Sequence, residues 1–177
     1  MPYSNKLVNL SRWKGNRISG PAVPGIYNKS YHLLNDNDAE SFRLNAIAAD
    51  SGFHDAVLAM GWYYLNGVGV NVDKDEAVRW YRKSARQGDN RAMFSLGYIA
   101  YLDKDYSEAL TWFTRALKKE HHRSNFWIGK LYWRGHGVQQ NRKLARDYFA
   151  KGAARKVIEA QRAVRFLSYL EKHGKSD

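Results

Sequence analysis

The sequence predicts an all-α fold built from repeated pairs of antiparallel helices, and three observations support this prediction. A six-residue pattern that ends in glycine recurs at residues 56–61, 92–97 and 124–129. A second pattern, with adjacent aromatic residues, follows each copy at 77–85, 109–117 and 145–153. The apolar positions in both patterns fall at helical spacing. A two-helix unit that recurs every 32 to 36 residues indicates a repeat architecture.

The composition is that of a packed domain with a sizeable core, since 44% of the 177 residues are apolar and 14% are aromatic. The chain has no cysteine, which excludes disulfides, thiolate zinc sites and a cysteine nucleophile. No stretch has the length and apolar character of a signal peptide or a bilayer-spanning helix. We therefore expect a cytoplasmic protein with no membrane insertion.

The formal net charge of +12 is unevenly distributed along the chain. Residues 1–34 carry five basic and no acidic side chains, residues 35–89 have a net charge of −3, and residues 90–177 have a net charge of +10. This distribution predicts an acidic partner or nucleic acid against the basic part. A generally basic surface with no specific partner is the alternative.

The first element is a basic N-terminal arm, residues 1–25, which contains Trp13 and ends in a turn or linker at residues 20–25. Packing on the first repeat, binding to a partner and disorder are alternatives that the sequence leaves open. The repeats then begin near residue 26. Residues 34–41 parallel 102–109, and residues 48–52 parallel 84–88, so a weaker copy precedes the full ones.

The second helix of each unit has a recognisable start. Asp73 and Glu76, and likewise Asp105 and Glu108, have the spacing of a capping box, in which the side chains of both residues cap the helix. The segment from Asn37 is a close variant, and Asn141 keeps only the capping residue. The glycines at positions 52 and 88 are expected to end their helices in the left-handed conformation.

Paired glycines separate the two helices in two of the units, as Gly67 with Gly69 and Gly135 with Gly137. A phosphate-binding loop places its glycines between a strand and a helix. Here the glycines follow a helix and precede the cap of the next, and the middle unit lacks them. We therefore interpret them as residues that reverse the chain through positive φ.

A further glycine falls inside the first helix of each unit, where it costs about 1 kcal/mol relative to alanine. Its recurrence at positions 61, 97 and 129 predicts close contact with the second helix. The adjacent aromatic residues of the second helices are expected to form the core. They are Trp80 and Tyr81, Trp112 and Phe113, and Tyr148 and Phe149.

These units resemble Sel1-like repeats, which are related to tetratricopeptide repeats. The first full copy keeps the residues of the family pattern, namely Ala56, Gly61, Tyr64, Gly67, Gly69, Val70, Asp73, Ala77, Trp80, Tyr81, Ala85 and Gly88. In the third copy Lys156 replaces the closing glycine. The resemblance covers residues 26–170. It implies a right-handed α-solenoid of about four antiparallel helix pairs. The amphipathic segment at residues 160–170 predicts a C-terminal capping helix for that solenoid, and residues 171–177 are expected to form a frayed tail.

No pattern in the sequence indicates catalysis or a cofactor. None of the six histidines has a metal-ligand spacing, and the adjacent His121 and His122 are expected in a solvated turn. His136 is expected at a loop tip, where it would be a contact residue. The acidic run from Asn35 to Asp38 lacks the glycine and distant glutamate of a calcium loop, so it predicts a capped turn. We expect a protein without enzymatic activity.

The positions that vary between repeats on the first helices are the candidate partner-binding residues. The resemblance implies that these helices line a concave groove. The predicted site consists of Trp62, Ser95, Tyr98, Tyr101, Trp127, Lys130, Trp133 and Arg134. Aromatic residues beside lysine and arginine are typical of binding hot spots and favour an acidic and apolar protein or peptide. Burial of some of these aromatic side chains between repeats is the alternative.

The resemblance implies a non-catalytic protein-interaction module, with adaptor or scaffold roles in bacterial signalling, secretion, envelope or host-interaction systems. A cognate inhibitor, such as an immunity protein against an acidic toxin, fits the same features. The alternative is a nucleic-acid-binding protein that uses the basic C-terminal half.

Overall fold

The computed structural model describes residues 22–174, and every regular element in that part of the chain is a helix. The nine helices are α1 (Ala22–His32), α2 (Asp38–Asp50), α3 (His54–Asn66), α4 (Lys74–Arg86), α5 (Asn90–Leu102), α6 (Tyr106–Lys118), α7 (Ser124–Arg134), α8 (Arg142–Ala154) and α9 (Ile158–Lys172). The prediction of an all-α repeat fold is confirmed. The first eight helices form the four predicted pairs, and α9 follows them.

The chain divides into two compact units after Asp89. In the first unit, helices α1 to α4 surround a core that includes the fully buried Phe42, Val57 and Met60. In the second unit, helices α5 to α8 bury Phe113 and Leu131, and α9 packs on α8. Each unit therefore contains two helix pairs with their own core.

The predicted boundaries differ from the helices at both ends. Helix α1 begins at Ala22 and includes Pro24 and Gly25, which the sequence indicated as a linker. Proline is compatible with the first turn of a helix, because the first amide groups have no partner within the helix. Helix α9 continues to Lys172, past the predicted boundary at residue 170. The predictions for residues 1–21 and 175–177 lie outside the described residues.

The N-caps of the second helices are confirmed, but the capping boxes are not. The side chains of Asn37, Asp73, Asp105 and Asn141 each accept a hydrogen bond from the backbone amide three residues later, at 2.9–3.1 Å. The return bond of the box needs the amide of the capping residue. In Asp73 that amide donates to the carbonyl of Tyr64, so the carboxylate of Glu76 pairs with Arg79 instead.

The mid-helix glycines lie against aromatic rings of the second helices, as predicted. A Cβ atom at Gly61 would lie 2.6 Å from the ring of Tyr81. The same atom at Gly97 or Gly129 would lie 2.7 Å from the ring of Phe113 or Phe149. The glycines therefore allow the two helices of a pair to approach closely.

The loop glycines also have the predicted structural role. Gly67, Gly69, Gly135 and Gly137 all have φ between 67° and 70°. A Cβ atom at Gly69 would lie 2.1 Å from the carbonyl oxygen of Asp38 at the start of α2. These glycines both reverse the chain and let the loop pack on a helix end.

The prediction that the aromatic pairs form the core holds fully for the second member, whereas the first is only partly buried, with Trp80 and Tyr148 packed against core clusters. Tyr81, Phe113 and Phe149 are buried, whereas the three residues before them are only half-buried. Those three lie beneath cations one turn later, as Trp80 under Lys83, Trp112 under Arg115 and Tyr148 under Lys151, at 4.5–5.4 Å. Consecutive residues on a helix point in different directions, so one face cannot bury both.

Lys156 occupies a position that favours glycine, with φ of 62°. We expect Lys156→Gly to raise the free energy of unfolding by about 0.5–1 kcal/mol, because it removes left-handed strain at some cost in unfolded-state entropy. Thermal unfolding of the full chain measures this gain. Lys151→Gly is the matched control, since it places glycine inside α8 and is expected to lower stability by about 1 kcal/mol. A lower melting temperature for Lys156→Gly would contradict the prediction.

Candidate functional site

Four of the predicted site residues in the second unit form one cluster, which we name the aromatic–cationic surface: Tyr98, Tyr101, Trp127 and Lys130. Tyr98 and Tyr101 are three residues apart on α5, and Trp127 and Lys130 are three apart on α7, so each pair shares a helix face. The ring centroid of Trp127 lies 5.1 Å from that of Tyr98 and 4.9 Å from that of Tyr101.

Lys130 places its charge over this cluster. Its Nζ atom lies 4.9 Å from the ring centroid of Tyr101 and 4.7 Å from that of Trp127. Both distances are within the range in which an aromatic face attracts a cation. The ammonium group is thus held beside two rings and presents a positive charge next to apolar surface.

The four side chains differ in their exposure to solvent, and this difference distinguishes the residue that can contact a partner from those that support it. Tyr98 is 38% exposed, whereas Tyr101, Trp127 and Lys130 are half-buried. Trp127 also stacks on the core residue Phe113, with an interplanar angle of 20°. Because Trp127 is supported by the core, it forms a rigid base for the more exposed Tyr98.

The other three predicted residues of the second unit lie outside these contacts. The hydroxyl of Ser95 donates a hydrogen bond to the carbonyl of Arg91 at 3.0 Å. Trp133 is half-buried against the core and lies under the guanidinium of Arg142, at 5.3 Å. Arg134 is exposed at the end of α7. The contact between Trp133 and Arg142 joins two helices, and the sequence pattern did not indicate it.

Trp62 belongs to the first unit, where it lines a cavity between helices α1, α2 and α3. It is 42% exposed, and its ring meets that of Tyr63 edge-on at 5.4 Å. The same cavity contains Tyr27 and Tyr31 from α1, which the sequence analysis missed. Their spacing of four residues was the available signal, because it places both side chains on one helix face.

His121, which was expected in a solvated turn, and His136, which was expected as a contact residue at a loop tip, both stack on aromatic rings. His121 stacks on Phe94, with ring centroids 4.4 Å apart, and is half-buried. His136 stacks on Tyr106 at 4.3 Å, so it is not a free loop tip. Within residues 22–174, no group of three or more histidine, aspartate and glutamate side chains could hold a metal ion. The same part of the chain has no helix with the length and apolar character needed to cross a membrane.

The acidic run at Asn35–Asp38 forms the predicted capped turn. Asn35 has φ of 71°, and its amide donates to the carboxylate of Asp38 at 2.9 Å. Asn37 caps α2. The polar groups of this segment are therefore used by the turn itself.

Two curated proteins are similar to about half of the chain. The chitin synthase regulator SKT5 of Malassezia restricta is 35% identical over 78 residues, which are 44% of this chain and 5% of that protein. The activator of C kinase protein 1 of Saccharomyces cerevisiae is 31% identical over 87 residues, 47% of this chain and 14% of that protein. The chain thus matches only a small part of either relative.

Two crystal structures have a similar fold. A Sel1 repeat protein from Oxalobacter formigenes is 28% identical, with a TM-score of 0.75 over 80% of this chain and 62% of that one. A protective antigen of uropathogenic Escherichia coli with an SLR fold is also 28% identical, with a TM-score of 0.75 over 84% of this chain and 34% of that one.

A family model for the Sel1 repeat matches three consecutive segments, residues 54–89, 90–121 and 122–157. Each segment contains one helix pair, from α3 and α4 to α7 and α8. Helices α1 and α2 form a further pair before the matched segments. Since the three segments together make up more than half of the sequence, the chain belongs to the Sel1 repeat family.

Proposed function

We propose that this protein is a non-catalytic interaction module, an adaptor, scaffold or cognate inhibitor, that binds an acidic and apolar protein segment through the aromatic–cationic surface. Sel1 repeat proteins are generally protein-interaction modules, and the two curated relatives carry the names of a regulator and an activator. The observation that carries the proposal is the position of the Lys130 ammonium beside the rings of Tyr101 and Trp127.

The chemistry of the surface supports a partner of acidic and apolar character. Tyr98 is available for apolar contact, and tyrosine and tryptophan are enriched among the residues that dominate binding energy. The ammonium group of Lys130 can pair with a carboxylate of the partner next to that contact. The second unit as a whole, with 18 basic and 8 acidic residues at 90–177, attracts an acidic partner during encounter.

Nucleic-acid binding by the basic half has less support. Arg146 pairs with Glu171, so one basic side chain of α8 is already neutralised by a carboxylate of the protein. We expect only weak nucleic-acid binding, which falls steeply between about 50 and 200 mM salt because phosphate contacts release counterions. Tight binding at physiological salt would favour nucleic acid as the partner.

A charge reversal tests the proposed surface. Lys130→Glu and Lys151→Glu change the net charge equally, and both replace a lysine that lies over aromatic rings in the second unit. We expect the immobilised wild type and Lys151→Glu to retain the same partner from a nuclease-treated lysate, whereas Lys130→Glu loses it. The retained protein is identified by mass spectrometry and its affinity measured with purified components. Equal affinity for all three baits would contradict the proposed surface.

A further inference from the structure

The first unit contains a second candidate site, which we name the aromatic pocket. It is a cavity of about 240 Å³. Tyr27 and Tyr31 from α1 and Trp62 and Tyr63 from α3 line it, together with Asn45 from α2. Tyr31 and Trp62 are 64% and 42% exposed, so the pocket opens to solvent between two aromatic side chains.

Asn45, which lines this pocket, has one buried polar atom without a hydrogen-bond partner among residues 22–174. Asn45 is fully buried, and its Nδ2 atom donates a hydrogen bond to the carbonyl of Ala56 at 3.1 Å. That bond fixes the orientation of the side-chain amide, since only the nitrogen can donate to a carbonyl. Its Oδ1 atom accepts no hydrogen bond from the described residues. Leaving a buried acceptor unpaired is unfavourable, so a donor from a ligand would be favourable here.

The buried hydroxyl groups of Ser30 and Tyr63, which also line the pocket, already have partners. The Ser30 hydroxyl donates to the carbonyl of Tyr27 at 2.7 Å. The Tyr63 and Ser41 hydroxyl oxygens lie 2.6 Å apart and share a hydrogen bond. Burial also raises the pKa of Tyr63, so its hydroxyl stays protonated at neutral pH. Asn45 is therefore the side chain whose hydrogen bonding a ligand could complete.

The charge around the pocket favours a cation. The faces of aromatic rings carry the negative part of the ring quadrupole, and among residues 22–174 no lysine or arginine lines the cavity. Residues 22–89 carry seven basic and nine acidic side chains, whereas residues 90–177 have a net charge of +10. The first unit is thus the part of the repeat region that can attract a basic partner.

The aromatic rings of the pocket and the unpaired oxygen of Asn45 together favour one class of ligand over the others. A purely apolar side chain would leave the Asn45 oxygen unpaired, and a carboxylate would place a second acceptor against it. An arginine side chain stacks its planar guanidinium on aromatic faces and supplies N–H donors. We propose that the aromatic pocket binds an arginine side chain of a basic peptide or protein. This site is separate from the aromatic–cationic surface and does not depend on the function proposed for it.

The test uses the full chain labelled with 15N and three small probes. N-acetyl-arginine amide is compared with N-acetyl-citrulline amide, which keeps N–H donors but lacks the charge, and with N-acetyl-norleucine amide. We expect arginine amide to shift the Trp62 indole and Asn45 side-chain signals in a saturable manner. Citrulline amide is expected to bind about two- to fivefold more weakly, the factor that a cation–π contact of 0.5–1 kcal/mol supplies. Norleucine amide is expected to bind most weakly.

Variants connect the signals to the pocket. Trp62→Leu and Tyr31→Ala are expected to abolish the arginine-dependent shift of the Asn45 side chain without lowering the melting temperature, because both residues are exposed. Tyr98→Leu is the matched control in the other unit and should leave the shift unchanged.

Three outcomes would overturn the proposal. Norleucine amide binding as well as arginine amide would show an apolar site, and arginine shifts that survive both pocket variants would place binding elsewhere. If Arg12→Gln alone moves the Trp62 and Asn45 signals, the occupant is this chain's own basic N-terminal segment and not a separate partner.

Discussion

Gly97→Leu is expected to lower the free energy of unfolding by more than the roughly 1–3 kcal/mol that is typical of overpacking. Even a Cβ atom at this position would lie 2.7 Å from the ring of Phe113, and leucine adds three further carbons. Phe113 is fully buried and cannot move aside without opening its own packing. Helices α5 and α6 would therefore have to separate. Chemical denaturation of the purified variant measures the loss.

Gly25→Leu is the matched control for this substitution. Gly25 lies in α1, and a Cβ atom there would have no neighbour within 4 Å among residues 22–174. The same change should therefore be neutral or stabilising by up to about 1 kcal/mol, because glycine is a poor helix former. If Gly97→Leu and Gly25→Leu unfold at the same denaturant concentration, the close helix contact is wrong.

Phe113→Ala is expected to cost about 3–5 kcal/mol of stability, the range for removing a buried aromatic side chain. Its neighbour Trp112 is half-buried, lies under Arg115 and donates a hydrogen bond from its indole to Glu108 at 3.1 Å. Trp112→Ala should cost less than half as much, since a surface cation–π contact contributes about 0.5–1 kcal/mol. The two variants are compared by chemical denaturation. Equal losses would mean that both aromatic residues belong to the core.

The repeat fold could be predicted from the sequence because its determinants are local. The caps at Asp73 and Asp105 and the glycines at positions 61 and 97 recur in register, and each has a physical reason within its own helix pair. The reciprocal half of the capping box could not be predicted in this way. The amide of Asp73, which that bond would need, donates instead to the carbonyl of Tyr64 in the previous helix, a contact that the local pattern does not specify.

The candidate site was less predictable, because it depends on which side chains meet across helices. The pattern selected Tyr98, Tyr101, Trp127 and Lys130 as variable positions, and the structure brings those four together. It gave no reason to separate them from Ser95 or Arg134, which occupy equally variable positions.

The aromatic pocket was missed for a related reason. Tyr27 and Tyr31 lie in a copy that lacks the mid-helix and loop glycines, so the repeat pattern could not align them with positions in the other copies. Stacking of His121 on Phe94 and of His136 on Tyr106 likewise joins residues far apart in the sequence. Such contacts require the packed helices and cannot be inferred from spacing.

The most direct test of the aromatic–cationic surface is the affinity of the Tyr98→Ala protein for the partner that the wild type retains, measured by calorimetry. Tyr98 is exposed, so its truncation should leave the melting temperature nearly unchanged. We expect the affinity to fall about 30-fold, which corresponds to the roughly 2 kcal/mol of a binding hot spot. Tyr169→Ala, at another exposed tyrosine of the second unit, should bind like the wild type. Unchanged affinity of a folded Tyr98→Ala protein would contradict the proposed surface.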